Sequence, residues 1–312
     1  MNDTVFSLNG KIVTAAKAVV PVTDRGFLYG DGVFETLHAY GRKLFRLREH
    51  LQRLAHGAEQ LFFTPRPDLR RLGQWLREAV SAADFQEASA RLTLTRGAGP
   101  RGPSISGQLK PNAVIIVTRF TRTCGDRQPI SKQPASLGRL PAGGFSPRGA
   151  AAVLASFRRQ ESAVTASLKT LNYLEQILAK READAAGADE ALLLNNAGLL
   201  SEGSSSNLAI IRGASVLEFP DPERSGALPG IAQLTALEAA RRLKIPALRT
   251  LLSPWDLYGA DEAFLSGSMR EITPLVRVAG RPIGCGKPGP VTLRLIAEYR
   301  RIVERECAPF KY

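Results

Sequence analysis

Apolar residues recur along the chain with two periods. Over VFSLNGKIV, two β-type runs flank Asn9-Gly10, a pair that favours the tight turn of a hairpin. VFETLHAYGRKLFRL repeats the pattern with a turn at Gly41, and ARLTLTRG and AVIIVTRF read as further strands. Helical spacing takes over at Leu47, Leu51, Leu54, Ala58 and Leu61, and again at Leu69, Leu72, Trp75, Leu76 and Val80. Beyond residue 149, AAVLASF predicts a strand and NYLEQILAKREADAAG a helix. ALLLNNAGLL and NLAIIRGASVLEF predict two hairpins, while GIAQLTALEAARRL and VTLRLIAEYRRIVEREC predict helices. Between them, residues 121–149 turn to Pro, Gly, Ser and Arg with few large apolar side chains. This divides the chain into an N-terminal α/β domain (1–120), a linker and loop (121–149) and a larger C-terminal, β-rich domain with helices (150–312). Long hairpins beside separate helices predict an α+β fold of two subdomains, not a regular parallel sheet.

Composition narrows the function classes. A chain of 312 residues, 44% hydrophobic and 23% charged, has the balance of a soluble globular protein. No apolar run approaches the roughly 20 residues of a spanning helix, and MNDTVFSLNGKIV lacks the pattern of an export signal, so no membrane association is expected. Cys124, Cys285 and Cys307 share no metal-ligand spacing, and His38, His50 and His56 are scattered, so no metal site and a reducing cytoplasm are expected. The net charge of +13 raises the question of nucleic acid. The basic residues are interspersed with acids, as in RLREHLQRL and RRIVEREC, which is the pattern of solvated helix faces, and no nucleic-acid-reading motif accompanies them.

Four features could carry chemistry. Most lysines sit beside Gly, Pro, Arg or Glu, but Lys169 lies in ASLKTLNYLEQIL, just before a helix and among apolar neighbours. Desolvation there favours the neutral, nucleophilic amine; the alternative is a packed stem with its head in water. SEGSSSN (Ser201 to Asn207) presents small polar groups and the Glu202 carboxylate between two hairpins, or is simply a surface loop. In LPGIAQLTALEAA, Pro229-Gly230 precedes a helix whose first N–H groups, Ile231 and Ala232, suit a phosphate. TRGAGPRG holds Arg96 and Arg101 on a glycine-rich turn, where a guanidinium suits a carboxylate.

The set and order of motifs resembles the class IV aminotransferases, the fold-type IV pyridoxal-phosphate enzymes. DRGFLYGDGVFETL, FRLREHLQRL, RGAGPRG, LKTLNYLEQILA, DEALLLNNAGLLSEGSSSNL, LPGI and SGSMREITPL with GKPG carry it, from about Asp24 to Gly289. The resemblance implies that pyridoxal 5'-phosphate is the cofactor and that Lys169 forms a Schiff base with it and shuttles the proton. It places Glu202 beside the pyridine nitrogen, and Arg53, the Ile231 and Ala232 N–H groups and Ser268 round the phosphate. Leu228 would pack on the ring and Tyr173 would meet the 3-hydroxyl. Phe34, Arg101 and Met269 would line the substrate pocket, with Arg101 gripping a substrate carboxylate. A homodimer is implied too, acting on a small amino donor and a 2-oxo acid acceptor.

Three departures stand out. Ala232 replaces a frequent hydroxyl residue, Met269-Arg270 stands where relatives have small or hydroxyl side chains, and Gly102-Pro103 follows Arg101 without the histidine of D-amino-acid transaminases. Tyr173, SEGSSSN and REITPL with GKPG favour a transaminase. RGAGPRG and LKTLNYLEQILA lean toward D-type enzymes and the alternative, a 4-amino-4-deoxychorismate lyase releasing pyruvate and 4-aminobenzoate. A basic binding module that kept the fold would need neither Lys169 nor Glu202.

Overall fold

The computed structural model describes residues 3–105, 109–121, 148–213 and 215–309. Contacts within it divide the chain into two units. The first takes in the described residues up to Thr121, the short segment Leu168–Tyr173 and the described chain end from Glu306. The second takes in the described part of 148–167 and Leu174–Arg305. The linker expected over 121–149 lies almost wholly outside the described residues, as does Cys124.

The first unit contains β1 (Thr4–Leu8), β2 (Lys11–Val13), α1 (Arg25–Tyr29), β3 (Gly32–Tyr40), β4 (Lys43–Leu44), α2 (Leu47–Gln60), α3 (Leu69–Ala83), β5 (Glu87–Thr95) and β6 (Asn112–Arg119). Its sheet runs β2-β1-β6-β5-β3-β4, with every neighbouring pair antiparallel. The β1–β2 hairpin turns where the Asn9-Gly10 signal predicts. Both residues are left-handed (φ 50° and 83°), and a side chain on Gly10 would collide with the Trp75 indole. One sheet face carries Val33, Leu37, Leu92, Leu94, Ile115 and Val117. It buries these against Leu51, Leu54 and Ala58 of α2 and Leu72, Leu76 and Val80 of α3. Gly57 lets α2 approach closely, since an added Cβ would press on Val33.

The second unit contains β7 (Ala150–Arg159), α4 (Leu174–Ala185), β8 (Glu190–Asn195), β9 (Leu200–Gly203), β10 (Asn207–Arg212), β11 (Val216–Pro220), α5 (Pro222–Ser225), α6 (Ile231–Arg242), β12 (Ala247–Thr250), α7 (Pro254–Tyr258), β13 (Glu262–Gly267), β14 (Glu271–Val278), β15 (Arg281–Pro282) and α8 (Pro290–Glu306). Its sheet runs β12-β11-β10-β13-β14-β7-β8-β9, with β15 on β14. The pairs β8–β9 and β10–β11 are the two expected hairpins. Parallel pairing occurs at β7–β8, β7–β14 and β11–β12. The whole is an α+β fold, as the hairpin signals predict. The periodicity leaves β13 and β14 unmarked. Both are buried on both faces for most of their length, so the apolar/polar alternation that betrays a half-buried strand is missing.

Candidate active site

Each unit carries part of the predicted set. In the first, the lysine's segment is laid beside the start of β3. The Phe34 N–H donates to the Lys169 carbonyl at 2.9 Å, the Leu171 N–H donates to the Gly32 carbonyl at 3.0 Å, and Val33 bridges to Thr170. Contacts therefore group this segment with the N-terminal strands, whereas the sequence division counts it with residues 150–312. With its backbone pinned, Lys169 extends Nζ to 4.5 Å from the centre of the Phe34 ring and 5.5 Å from that of Tyr173. The two rings meet edge to face at 5.2 Å. Lys169, Tyr173 and Phe34 are thus brought together.

Arg53, on α2, is held by a residue that none of the motifs singles out. Glu35 is fully buried, and its two oxygens each accept from the Arg53 guanidinium at 2.7 Å. His50 Nδ1 lies 2.7 Å from the same carboxylate. Burial pushes the Glu35 pKa up, but the Arg53 charge and hydrogen bonds, with His50, outweigh it and bring the pKa to about 2. Burial drives the His50 pKa below its ordinary value; Glu35 opposes that, while Arg53 and Lys169 reinforce it. A signal for Glu35 is present in the sequence. In VFETLHAY it occupies the alternation of Val33, Leu37 and Ala39, an acid at a core-facing position.

Arg101 is exposed, on a loop whose shape is set by another arginine. The buried Arg25 donates to the carbonyls of Gly102 (3.0 Å), Pro103 (3.3 Å), Ser104 (3.3 Å) and Pro100 (3.5 Å). Asp31 receives Nε of both Arg25 (2.9 Å) and Arg96 (2.8 Å). Burial raises the Asp31 pKa, and Arg96 and Arg25 together bring it below the ordinary carboxylate value. The Gly102 N–H donates to the Tyr29 hydroxyl at 2.7 Å.

In the second unit Glu202, on β9, is buried and held on both oxygens. Arg159 Nη1 donates to Oε1 at 2.6 Å; the Leu228 N–H (2.9 Å) and Asn207 Nδ2 (3.3 Å) donate to Oε2. Asn207 also donates to the Leu228 carbonyl at 2.7 Å. This ties β9, β10 and the segment before α6 together. Helix α6 begins at Gly230 with no side-chain cap, so the first N–H groups, including those of the buried Ile231 and Ala232, have no intrahelical acceptor. A side chain on Gly230 would collide with Asn207.

Three of the four serines of SEGSSSN, Ser204 to Ser206, direct their hydroxyls to Glu190, a second residue outside the predicted set. Glu190 is fully buried and accepts from the Ser204 N–H (3.1 Å) and from the hydroxyls of Ser204, Ser205 (3.2 Å) and Ser206 (2.9 Å). Arg270 Nη1 lies 3.3 Å from the same carboxylate. The bulky Met269-Arg270 departure is accommodated this way: Arg270 is a counter-ion to Glu190. Ser268 and Met269 are half-buried in the turn between β13 and β14.

Amino-transferase class IV is the family whose pattern matches residues 32–278. The chain belongs to the class IV aminotransferase family. It is an aminotransferase, and the class works with pyridoxal phosphate. The chain is 32% identical over 295 residues to a putative branched-chain-amino-acid aminotransferase of Methanocaldococcus jannaschii, covering 95% of each. It is 28% identical over 300 residues to a D-alanine aminotransferase of Bacillus licheniformis, covering 96% of this chain and 97% of that one. The solved structure of a branched-chain aminotransferase from Thermoproteus uzoniensis with norvaline superposes with a TM-score of 0.84 at 31% identity, covering 98% of this chain and 97% of that one.

Proposed function

We propose that this aminotransferase binds pyridoxal 5'-phosphate through Lys169 and moves an amino group from an amino acid to a 2-oxo acid. In this reading Lys169 is the amine that takes up the cofactor's aldehyde, and Glu202 stands at the pyridine nitrogen. Arg53, the Ile231 and Ala232 N–H groups and Ser268 take the phosphate. Leu228 packs on the ring and Tyr173 meets the 3-hydroxyl. Phe34, Arg101 and Met269 line the substrate pocket.

Several observations support the fit. The start of α6 holds buried donors without a side-chain acceptor, which suits a phosphate. The Ser266 hydroxyl is buried and has no hydrogen-bond partner among the described residues. It belongs to the strand that leads into the Ser268 turn and is registered opposite Asn207. A second solved branched-chain amino acid aminotransferase, at 28% identity and a TM-score of 0.84, is described with pyridoxamine 5'-phosphate.

When bound, the cofactor supplies a protonated ring that accepts the electrons left on the substrate carbon as its proton departs. The residues do the rest. Arg159 and the Leu228 N–H orient the Glu202 carboxylate, and an ionised carboxylate there keeps the facing nitrogen protonated. The pairing with β3 holds the Lys169 backbone in one place, so Nζ can take a proton from the substrate carbon and return it. Phe34 and Tyr173 flank Nζ with apolar ring surface.

The observation that carries the reading is this pinned lysine with its amine beside a pair of aromatic rings. Lys169→Ala is expected to lose the visible band that survives dialysis and to lose turnover by at least about a hundredfold. Turnover within tenfold of wild type would sink the assignment. Adding L-leucine, D-alanine, D-glutamate or R-1-phenylethylamine singly, without a keto acid, should convert the band with one of them. Conversion by none, with pyruvate released from 4-amino-4-deoxychorismate, would establish the lyase instead. On the family's precedent we read the enzyme as a cytoplasmic homodimer; a monomer mass in sedimentation would overturn the dimer.

A further inference from the structure

Arg91 belongs to β5 and is registered opposite Thr36 of β3. By strand alternation it shares a sheet face with Phe34, Thr36 and Thr93, the face turned away from α2 and α3. Its guanidinium carbon lies 3.7 Å from the centre of the Phe34 ring. That is the ring from which Lys169 Nζ is 4.5 Å away, and which meets Tyr173 edge to face. Two basic side chains therefore converge on one aromatic ring.

Arg91 differs from Arg25, Arg53 and Arg96 of the same unit. Arg25 and Arg96 are tied to Asp31, and Arg53 to Glu35. Arg91 is half-buried, yet among the described residues no carboxylate or carbonyl receives it; its partners are the Phe34 ring and, more weakly, the field of Tyr173. Burial draws its pKa below the ordinary guanidinium value, against the Tyr173 contribution. A guanidinium partly stripped of water and given no counter-ion is costly to keep. Stacking on Phe34 fixes the guanidinium by one face and leaves its edge of N–H donors open. Such an edge matches a planar carboxylate through two parallel hydrogen bonds.

We propose that Arg91 is a specificity-determining residue that receives a carboxylate of the amino acid or 2-oxo acid. The proposal rests on the reading that Lys169 carries the reaction. Both substrates bring a carboxylate to the reacting carbon, and dicarboxylic ones bring a second. A cation against the ring that flanks the lysine amine supplies the missing counter-charge. Arg101, exposed on its loop, is the contrasting cation.

The test uses the holoenzyme and ligands that do not react. 4-Methylvaleric acid and glutaric acid are titrated beside their uncharged amides, and binding is read from the cofactor's visible absorbance. Wild type should bind at least one acid about tenfold or more better than its amide. Arg91→Met should keep the visible band and lose that preference, Arg91→Lys should keep part of it, and Arg101→Met should change it less. If the preference rests on glutaric acid alone, Arg91 takes the distal carboxylate; if 4-methylvaleric acid shows it as well, Arg91 takes the carboxylate at the reacting carbon. A wild-type acid preference that survives Arg91→Met, or equal weakening of acid and amide, overturns the proposal while the Lys169 reading stands. So does a wild type that binds no acid better than its amide. A wild type with no visible band overturns the Lys169 reading and the proposal with it.

Discussion

Arg159 Nη1 lies 2.6 Å from Glu202 Oε1, and both side chains are buried. The same guanidinium donates from Nη2 to the Ala166 carbonyl at 2.5 Å, so it is fixed at two points. A charge held this way cannot swing off to another partner. Such fixing suits the role proposed for Glu202, a carboxylate that faces one nitrogen with its charge intact.

Replacing Glu202 by Gln keeps the shape and removes the charge. The variant is expected to hold cofactor, seen as a retained visible band, and to turn over at least about a hundredfold more slowly. A steady-state rate near wild type would remove Glu202 from its proposed role. Glu202→Ala should in addition cost about 3–5 kcal/mol in urea denaturation, because it strands the Arg159 charge.

The Glu35, His50 and Arg53 cluster makes the fold acid-sensitive, and both titrating groups act with the same sign. The Glu35 pKa is about 2 in the folded chain against an ordinary value of 4.5. Its contribution is therefore complete above about pH 4.5 and is lost as pH falls toward 2. The folded His50 pKa is also below its ordinary 6.5, so the unfolded chain binds its proton first and stability already declines as pH falls below 6.5. Denaturation midpoints measured from pH 7 to pH 3 should fall throughout, and Glu35→Gln should flatten the part below pH 4.5. An unchanged acid limb in that variant would assign the sensitivity to other carboxylates.

Glu190 is expected to matter more for stability than the exposed character of serine-rich loops implies. Glu190→Ala leaves the Arg270 charge and three serine hydroxyls without their acceptor, at a cost of about 3–5 kcal/mol. Arg270→Ala leaves Glu190 its hydroxyl donors and should cost less, about 1–3 kcal/mol. Urea unfolding of the two variants checks the order; a larger loss from Arg270→Ala would reverse the picture of which group anchors the turn.

Arg25→Ala should loosen the loop that carries Arg101, since Arg25 donates to its carbonyls from Pro100 to Ser104. Faster amide exchange over residues 97–105, with β5 and β6 protected as before, is the expected signature. A raised KM for amino acids with little change in kcat should accompany it. Unaltered exchange in that loop would show that Tyr29 and Asp31 suffice to hold it.

The turn at Asn9-Gly10 follows from two neighbours that tolerate positive φ, and the inward faces of α2 and α3 follow from leucine spacing. Lys169 stands out in the sequence because its apolar neighbours are adjacent in the chain. Other roles have no such local mark. Arg91 looks like an ordinary strand arginine in ARLTLTRG, and Arg270 looks as ready to point at solvent as at a partner. The serines of SEGSSSN read as a flexible loop, with nothing nearby in sequence to mark Glu190 as their acceptor.

Turns, helix faces and strand alternation are decided by sterics and burial over a few residues, so the hairpins, most helices, the lysine and the motif order that marks the family are all legible in the chain alone. Which charge meets which is decided by strand register and helix packing between residues far apart in the chain. Glu35 is joined to Arg53 because β3 turns it toward α2; Arg270 is joined to Glu190 because the β13–β14 turn brings it to the serine turn; Arg91 meets no carboxylate among the described residues because its strand faces it toward Phe34. Those outcomes are electrostatic and depend on distances of a few ångströms, which only the folded chain supplies.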